Sequence, residues 1–167
     1  MALSLYQSSI PVLAGGLKNL SSYLAKGEEL AQRKNVDSDR LLQQRLIFDM
    51  FPLIKQIQIA CDTAARSAAR LAGVEAKPFP DTETTFAQAQ ARIAAALAYV
   101  ESFTAPQIDR RDTATVSFKM GGRAVELSAH DYLFKFGLPN FYFHCTTAYN
   151  ILRVAGAEIG KHDFLGF

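Results

Sequence analysis

Apolar residues recur at three- and four-residue steps through most of this chain, and at two-residue steps in one short stretch. From about Leu3 to Arg33, Leu5, Ile10, Leu13, Leu17, Leu20 and Leu24 form a helical stripe. Pro11 and the Gly15–Gly16 pair predict a bend or a ragged start within it. Asn35 and Asp37–Ser38 then supply stop and start chemistry, with Asp37 or Ser38 as the expected N-cap. The second helical pattern runs from about Asp39 to Ala72 and stops at Gly73, with Leu42, Leu46, Met50, Leu53, Ile57 and Ala64 as its inward row. Pro52 lies inside that pattern and predicts a kink. The alanine-rich part after Ala60 leaves room for a neighbouring helix to come close.

A Pro-rich loop, VEAKPFPDTE, precedes a third helix expected to start near Asp81 or Thr82, with Phe86, Ile93, Leu97 and Val100 on its buried face. The period then drops to two: TVSFKM and RAVELS flank Gly121–Gly122, the pattern of a tight β-hairpin. Ser128 to Asp131 opens a short helix that Gly137 is expected to close, and Pro139 starts the last helix, which runs to about Ala155. No internal repeat and no low-complexity segment interrupts this order. Each helix has one apolar stripe that must be covered. The expectation is therefore an all-α fold: one domain over residues 1–167, a four-helix bundle with a small β-hairpin inserted between helices 3 and 4.

Composition narrows the function classes. Apolar residues make up 49% and charged residues 20%, as in an ordinary globular protein. The net charge of +2 offers no electrostatic case for nucleic acid or an anionic membrane, and no apolar run is long enough to span a bilayer. The N-terminal stretch lacks the basic segment of a secretory leader, so a reduced, cytoplasmic setting is expected. Cys61 and Cys145 fall in separate helical patterns, which leaves buried thiols and a disulfide both open.

The most chemically suggestive stretch is FYFHCTTAYN. On a helix, Asn140, His144, Thr147, Ile151 and Val154 share a face, which turns His144 inward or to the lip of the core. A hydrogen-bonded core histidine and a ligand-binding one both fit that placement. Cys145 sits about 100° from His144 around the helix, the wrong direction for a Cys–His catalytic pair. Capping explains Asp131 beside His130. His162 and Asp163 belong to a Gly-flanked tail, GKHDFLGF, in which Phe164, Leu165 and Phe167 are the expected anchors. Asp49 and Asp62 have no acidic partner one turn away, and no phosphate-loop, dinucleotide or nucleophile-elbow motif occurs.

The C-terminal segment PNFYFHCTTAYNILRVAGAEIGKHDFLGF and the earlier FDMFPLIKQIQIACDTAARSAARLAG resemble a bacterial domain-of-unknown-function family of the DinB-like (YfiT-like) superfamily. The resemblance covers nearly the whole chain and implies a four-helix bundle. Many members of that superfamily hold a divalent metal through three histidines, and the better understood ones include thiol-dependent transferases and isomerases. Against that pattern, Leu152-Arg153-Val154-Ala155-Gly156 aligns His144 with the second histidine of a His-x3-His pair and puts Asn140 in place of the first. No histidine precedes His130, and Gln56 is the nearest polar counterpart of the third. Neutral amides are weak donors for zinc or nickel. The resemblance thus implies a degraded divalent-metal site, with His144 as its one surviving ligand and no resident cofactor. Asn140, His144 and Gln56 are then expected to bond to one another in a pocket for an unidentified small molecule. A metal-dependent transferase with altered ligands, or a homodimeric interaction module, are the competing readings.

Overall fold

The computed structural model describes residues 3–167. Helix α1 spans Leu5–Arg33 and starts in a capping box, where the Ser4 hydroxyl accepts from Gln7 N–H and the Gln7 side chain accepts from Ser4 N–H. It runs through Pro11 and the glycine pair without a break. Gly16 is needed there: a Cβ would lie 2.4 Å from Cε1 of Phe141, so the missing side chain makes room for that ring.

The expected second helix is in fact two. Helix α2, Ser38–Leu42, is capped by Asp37; helix α3 is Leu53–Ala72; residues 43–52 between them are not helical. Pro52 caps α3 instead of kinking a longer helix. A proline cannot donate inside a helix, whereas the first helical N–H groups have no intrahelical partner to lose. Leu46 and Met50 consequently leave the inward row; Leu46 is exposed and Met50 half-buried. Gly73 ends α3 with a left-handed φ of 70°.

Helix α4, Phe86–Glu101, begins later than expected because Thr85, not Asp81 or Thr82, forms its capping box with Gln88. A short helix α5, Ala105–Asp109, leads to strands β1, Thr115–Met120, and β2, Arg123–Ser128. They pair antiparallel from Thr115↔Ser128 to Met120↔Arg123, and both turn glycines have positive φ. Helix α6, Ala129–Tyr132, passes through a wide π-helical turn, Leu133–Gly137, into α7, Leu138–Ala155. Gly137 therefore does not close a short helix: its φ of −56° is helical, and Leu138 N–H reaches back to the Leu133 carbonyl. Pro139 lacks an N–H for the preceding turn, and the wider turn absorbs that gap.

Four long helices make the bundle. Helix α3 lies between α4 and α7, and α1 packs against the same two from the other side, around one contiguous apolar core. The closing helix α8, Lys161–Leu165, docks by Phe164, whose ring sits among Tyr23, Tyr142 and Tyr149, and by an ion pair between Asp163 and Lys26. Leu165 and Phe167 are not anchors: they are 44% and 92% exposed, because the short helix turns Phe164, not Leu165, toward α1, and Phe167 lies beyond the Gly166 cap. No helix among the described residues is long and apolar enough to cross a membrane.

A buried ionic cluster ties the loop between α3 and α4 to both helices. The Arg92 side chain, 1% exposed on α4, meets Asp62 at 2.6 Å, Asp81 at 3.0 Å, Glu83 at 3.0 Å and the Pro80 carbonyl at 2.9 Å. Burial opposes ionisation of the acids, yet Lys55 and Arg92 hold Asp81 below the usual carboxylate range, and Gln58 and Arg92 do the same for Glu83.

Candidate ligand-binding cleft

Helices α3 and α7 run antiparallel, and polar side chains form rungs across their seam. At one rung His144 Nδ1 lies 2.7 Å from Gln56 Oε1; one α7 turn away, Asn140 Nδ2 donates to Thr63 Oγ1 at 2.8 Å. Gln56 and His144 are both buried, 2% and 8% exposed. Val154, expected inward with them, is exposed: α3 begins at Leu53, opposite the middle of α7, and does not reach that far.

Gln56 sets the chemistry of the histidine. Its Nε2 donates to the Phe51 carbonyl at 3.0 Å, which leaves the amide oxygen turned toward His144. An amide oxygen only accepts, so the Nδ1 of His144 carries the proton and donates, and Nε2 keeps its lone pair. That Nε2 makes no hydrogen bond among the described residues and is not sealed from solvent. Burial pushes the His144 pKa from 6.5 down to about 4, so the ring is neutral at neutral pH. It opens on a cleft of about 220 Å³ lined by Asp49, Met50, Phe51, Gln56, Phe143 and His144. Phe51 and Phe143 are more than half exposed at its mouth.

Asn140 is not part of this cleft. It lines a different one, beside Thr63, so the expected mutual bonding of Asn140, His144 and Gln56 is only half right. The two residues share a face of α7, but α3 offers them partners at successive rungs and draws them apart.

The same geometry tests the metal that the resemblance implies. Gln56 has its oxygen engaged by His144 and its nitrogen by Phe51, and Asn140 faces elsewhere, so three donors do not converge on one point. Among the described residues no group of three or more His, Cys, Asp or Glu side chains could hold a metal ion. These residues do not fit a three-ligand centre. Cys61 and Cys145 are free and buried, and burial drives both thiols up, Cys61 to about 12, so neither provides a thiolate nucleophile at neutral pH.

Sequence reading missed the non-helical residues Asp49 to Phe51 as cleft walls, and it missed Arg92 altogether. The signal for Arg92 was its spacing: it falls one turn from Ala89 and from Ala96, in the buried row of α4.

Bundle, hairpin and histidine-bearing last helix together define a DinB-like protein. A solved structure described as a DinB family member protein from Shewanella denitrificans matches with a TM-score of 0.88 and 42% identity, covering 98% of this chain and 92% of that one. A family model for a domain of unknown function, DUF1993, matches residues 5–165, and the chain belongs to that family. No curated protein matches it.

Proposed function

We propose that this protein is a ligand-binding bundle whose cleft at His144 takes a small, largely apolar molecule bearing one hydrogen-bond donor. One observation carries the reading: a neutral imidazole, held in a single tautomer by Gln56, with its Nε2 lone pair open to a cleft walled by Met50, Phe51 and Phe143. Such a nitrogen accepts a hydrogen bond from a hydroxyl or an amide N–H, and aromatic walls supply the apolar contact. The transferase reading needs a metal, and the donors here do not meet.

Imidazole nitrogen chemical shifts, followed during titration with phenol and with its donor-less ether anisole, test this. Phenol should move the His144 Nε2 resonance saturably and more tightly than anisole. Equal response to both, or to neither, would reject it. So would near-stoichiometric zinc, nickel or manganese after dialysis against trace metals, lost in His144→Ala.

The rim favours a second reading, in which a second copy of the chain covers it. Phe51 and Phe143 at the cleft, and Ile47 and Phe48 in the segment that leads to Phe51, are all more than half exposed. Sedimentation of wild type beside Phe48→Ser separates the two: a dimer that Phe48→Ser dissociates supports the homodimeric module.

A further inference from the structure

The second cleft along the α3–α7 seam, the one that Asn140 lines, has the opposite chemistry. It encloses about 310 Å³, near the lower end of the roughly 300–1,000 Å³ range of small-molecule pockets. Four cations line it, Lys55, Arg66, Arg70 and Lys119, with two carboxylates, Asp62 and Asp81. The acids are already engaged: Lys55 pairs with Asp81, Arg66 with Asp62 at 2.9 Å, and Arg92 holds both of them and Glu83 from behind. Within that group three acids face three bases. Arg70 and Lys119 are left over, and neither has a carboxylate within 4.0 Å among the described residues.

Arg70 is also held in place. Its guanidinium lies 5.0 Å from the Phe118 ring centre and 5.6 Å from that of Tyr132, and its Nη1 donates to the Tyr132 hydroxyl at 3.1 Å. Ser67 meets the same hydroxyl from the buried side at 3.1 Å. Among the described residues the remaining N–H groups of Arg70 make no hydrogen bond and are not sealed from solvent. A planar, pre-oriented guanidinium that shares a cleft with a free ammonium can bind carboxylate or phosphate oxygens. Ile59 and Phe136 add apolar wall, and Asn140 and Thr63 add neutral polar groups.

From this we infer that the cleft between α3, α7 and the hairpin binds a small organic anion, with its carboxylate or phosphate between Arg70 and Lys119. The hairpin has a role in this site: β1 supplies Lys119 as a ligand contact and Phe118 as the plate behind Arg70. The site is independent of the reading given for His144, since the two clefts share no lining residue.

Calorimetric titration of the full chain with phenyl phosphate, benzoate and neutral benzyl alcohol tests it. At least one anion should bind saturably in the millimolar range or tighter, the alcohol should not, and the tighter anion identifies the head group. Lys119→Glu and Arg70→Gln should each weaken binding by about tenfold or more, the effect of one charge-assisted contact. Lys119 is exposed and makes no side-chain hydrogen bond among the described residues, so Lys119→Glu decides the matter should Arg70→Gln fail to fold. Lys161→Glu, an equal charge change on α8, should leave affinity unaltered. Failure of both anions to saturate, equal binding of the alcohol, or equal weakening by Lys119→Glu and Lys161→Glu would overturn the inference.

Discussion

Mild acidification, before the carboxylates titrate, should weaken this fold through the His144 imidazole, and the size of the effect follows from its burial. The folded His144 pKa is about 4 against 6.5 for the free side chain. Between those values the unfolded chain binds a proton that the folded chain refuses. Stability from this source is therefore intact above 6.5, falls as pH drops below that value, and levels off near the folded pKa. Each unit corresponds to about 1.4 kcal/mol, so the whole interval removes about 3 kcal/mol. That is a large share of the roughly 5–15 kcal/mol that holds a typical domain together. Asp81 and Glu83 act in a lower window: their depressed carboxyls lose their contribution only as pH falls through the carboxylate range. Urea denaturation of wild type and His144→Gln, repeated between about pH 7 and pH 4.5, separates the two sources, because glutamine does not titrate. The wild-type curve should drop relative to the variant by about 1.4 kcal/mol per unit below 6.5. Parallel curves, or an imidazole that titrates near 6.5 by NMR, would refute the argument and put His144 in solvent or beside a carboxylate.

Other substitutions probe other parts of the structure. Arg92→Met leaves Asp62, Asp81 and Glu83 without their common partner and should cost about 3–5 kcal/mol by chemical denaturation, with Arg92→Lys recovering little because one ammonium cannot replace the fork. Gly16→Ala drives a methyl into Phe141 and should lower stability by about 1–3 kcal/mol, measurable as a fall in melting temperature. Phe164→Ala should destabilise measurably, by up to about 3 kcal/mol, whereas removal of Phe167 should change the melting temperature little; the reverse order would mean that α8 does not dock through its aromatic face.

Local patterns were legible in the sequence and distant partnerships were not. The long helices and the hairpin follow from period and breakers that act within a few residues, and Gly121–Gly122 set the strand register. The break at residues 43–52 escaped notice because Leu46 and Met50 keep helical spacing with Leu42 and Leu53 although the chain between them loops outward. Apolar residues that line the mouth of a cleft look, in one dimension, like a core stripe. Arg92 was invisible for a different reason. Its partners are nine residues away at Glu83 and thirty at Asp62, and only the packing of α4 on α3 brings them together. His144 and Gln56 were both singled out, but the sense of their contact, with Gln56 orienting the histidine instead of sharing a ligand, depends on the Phe51 carbonyl, which no pattern reveals.

The wide turn at Leu133–Gly137 fits one residue more than an α-helical turn into about one turn of helix. One residue excised there would let α6 and α7 join as a regular α-helix, and because the turn already accommodates the extra residue, the segments on either side would keep close to their present orientation. The cost would fall on the side chains of the turn itself: Phe136, which lines the anion cleft with Tyr132 and Asn140, would lose its present place in the wall. A change of length by one residue at this point is thus nearly neutral for the bundle and local in its effect on the cleft. Homologues one residue shorter between Tyr132 and Leu138 should be expected to share the bundle and the histidine but to line the cleft differently where Phe136 now lies.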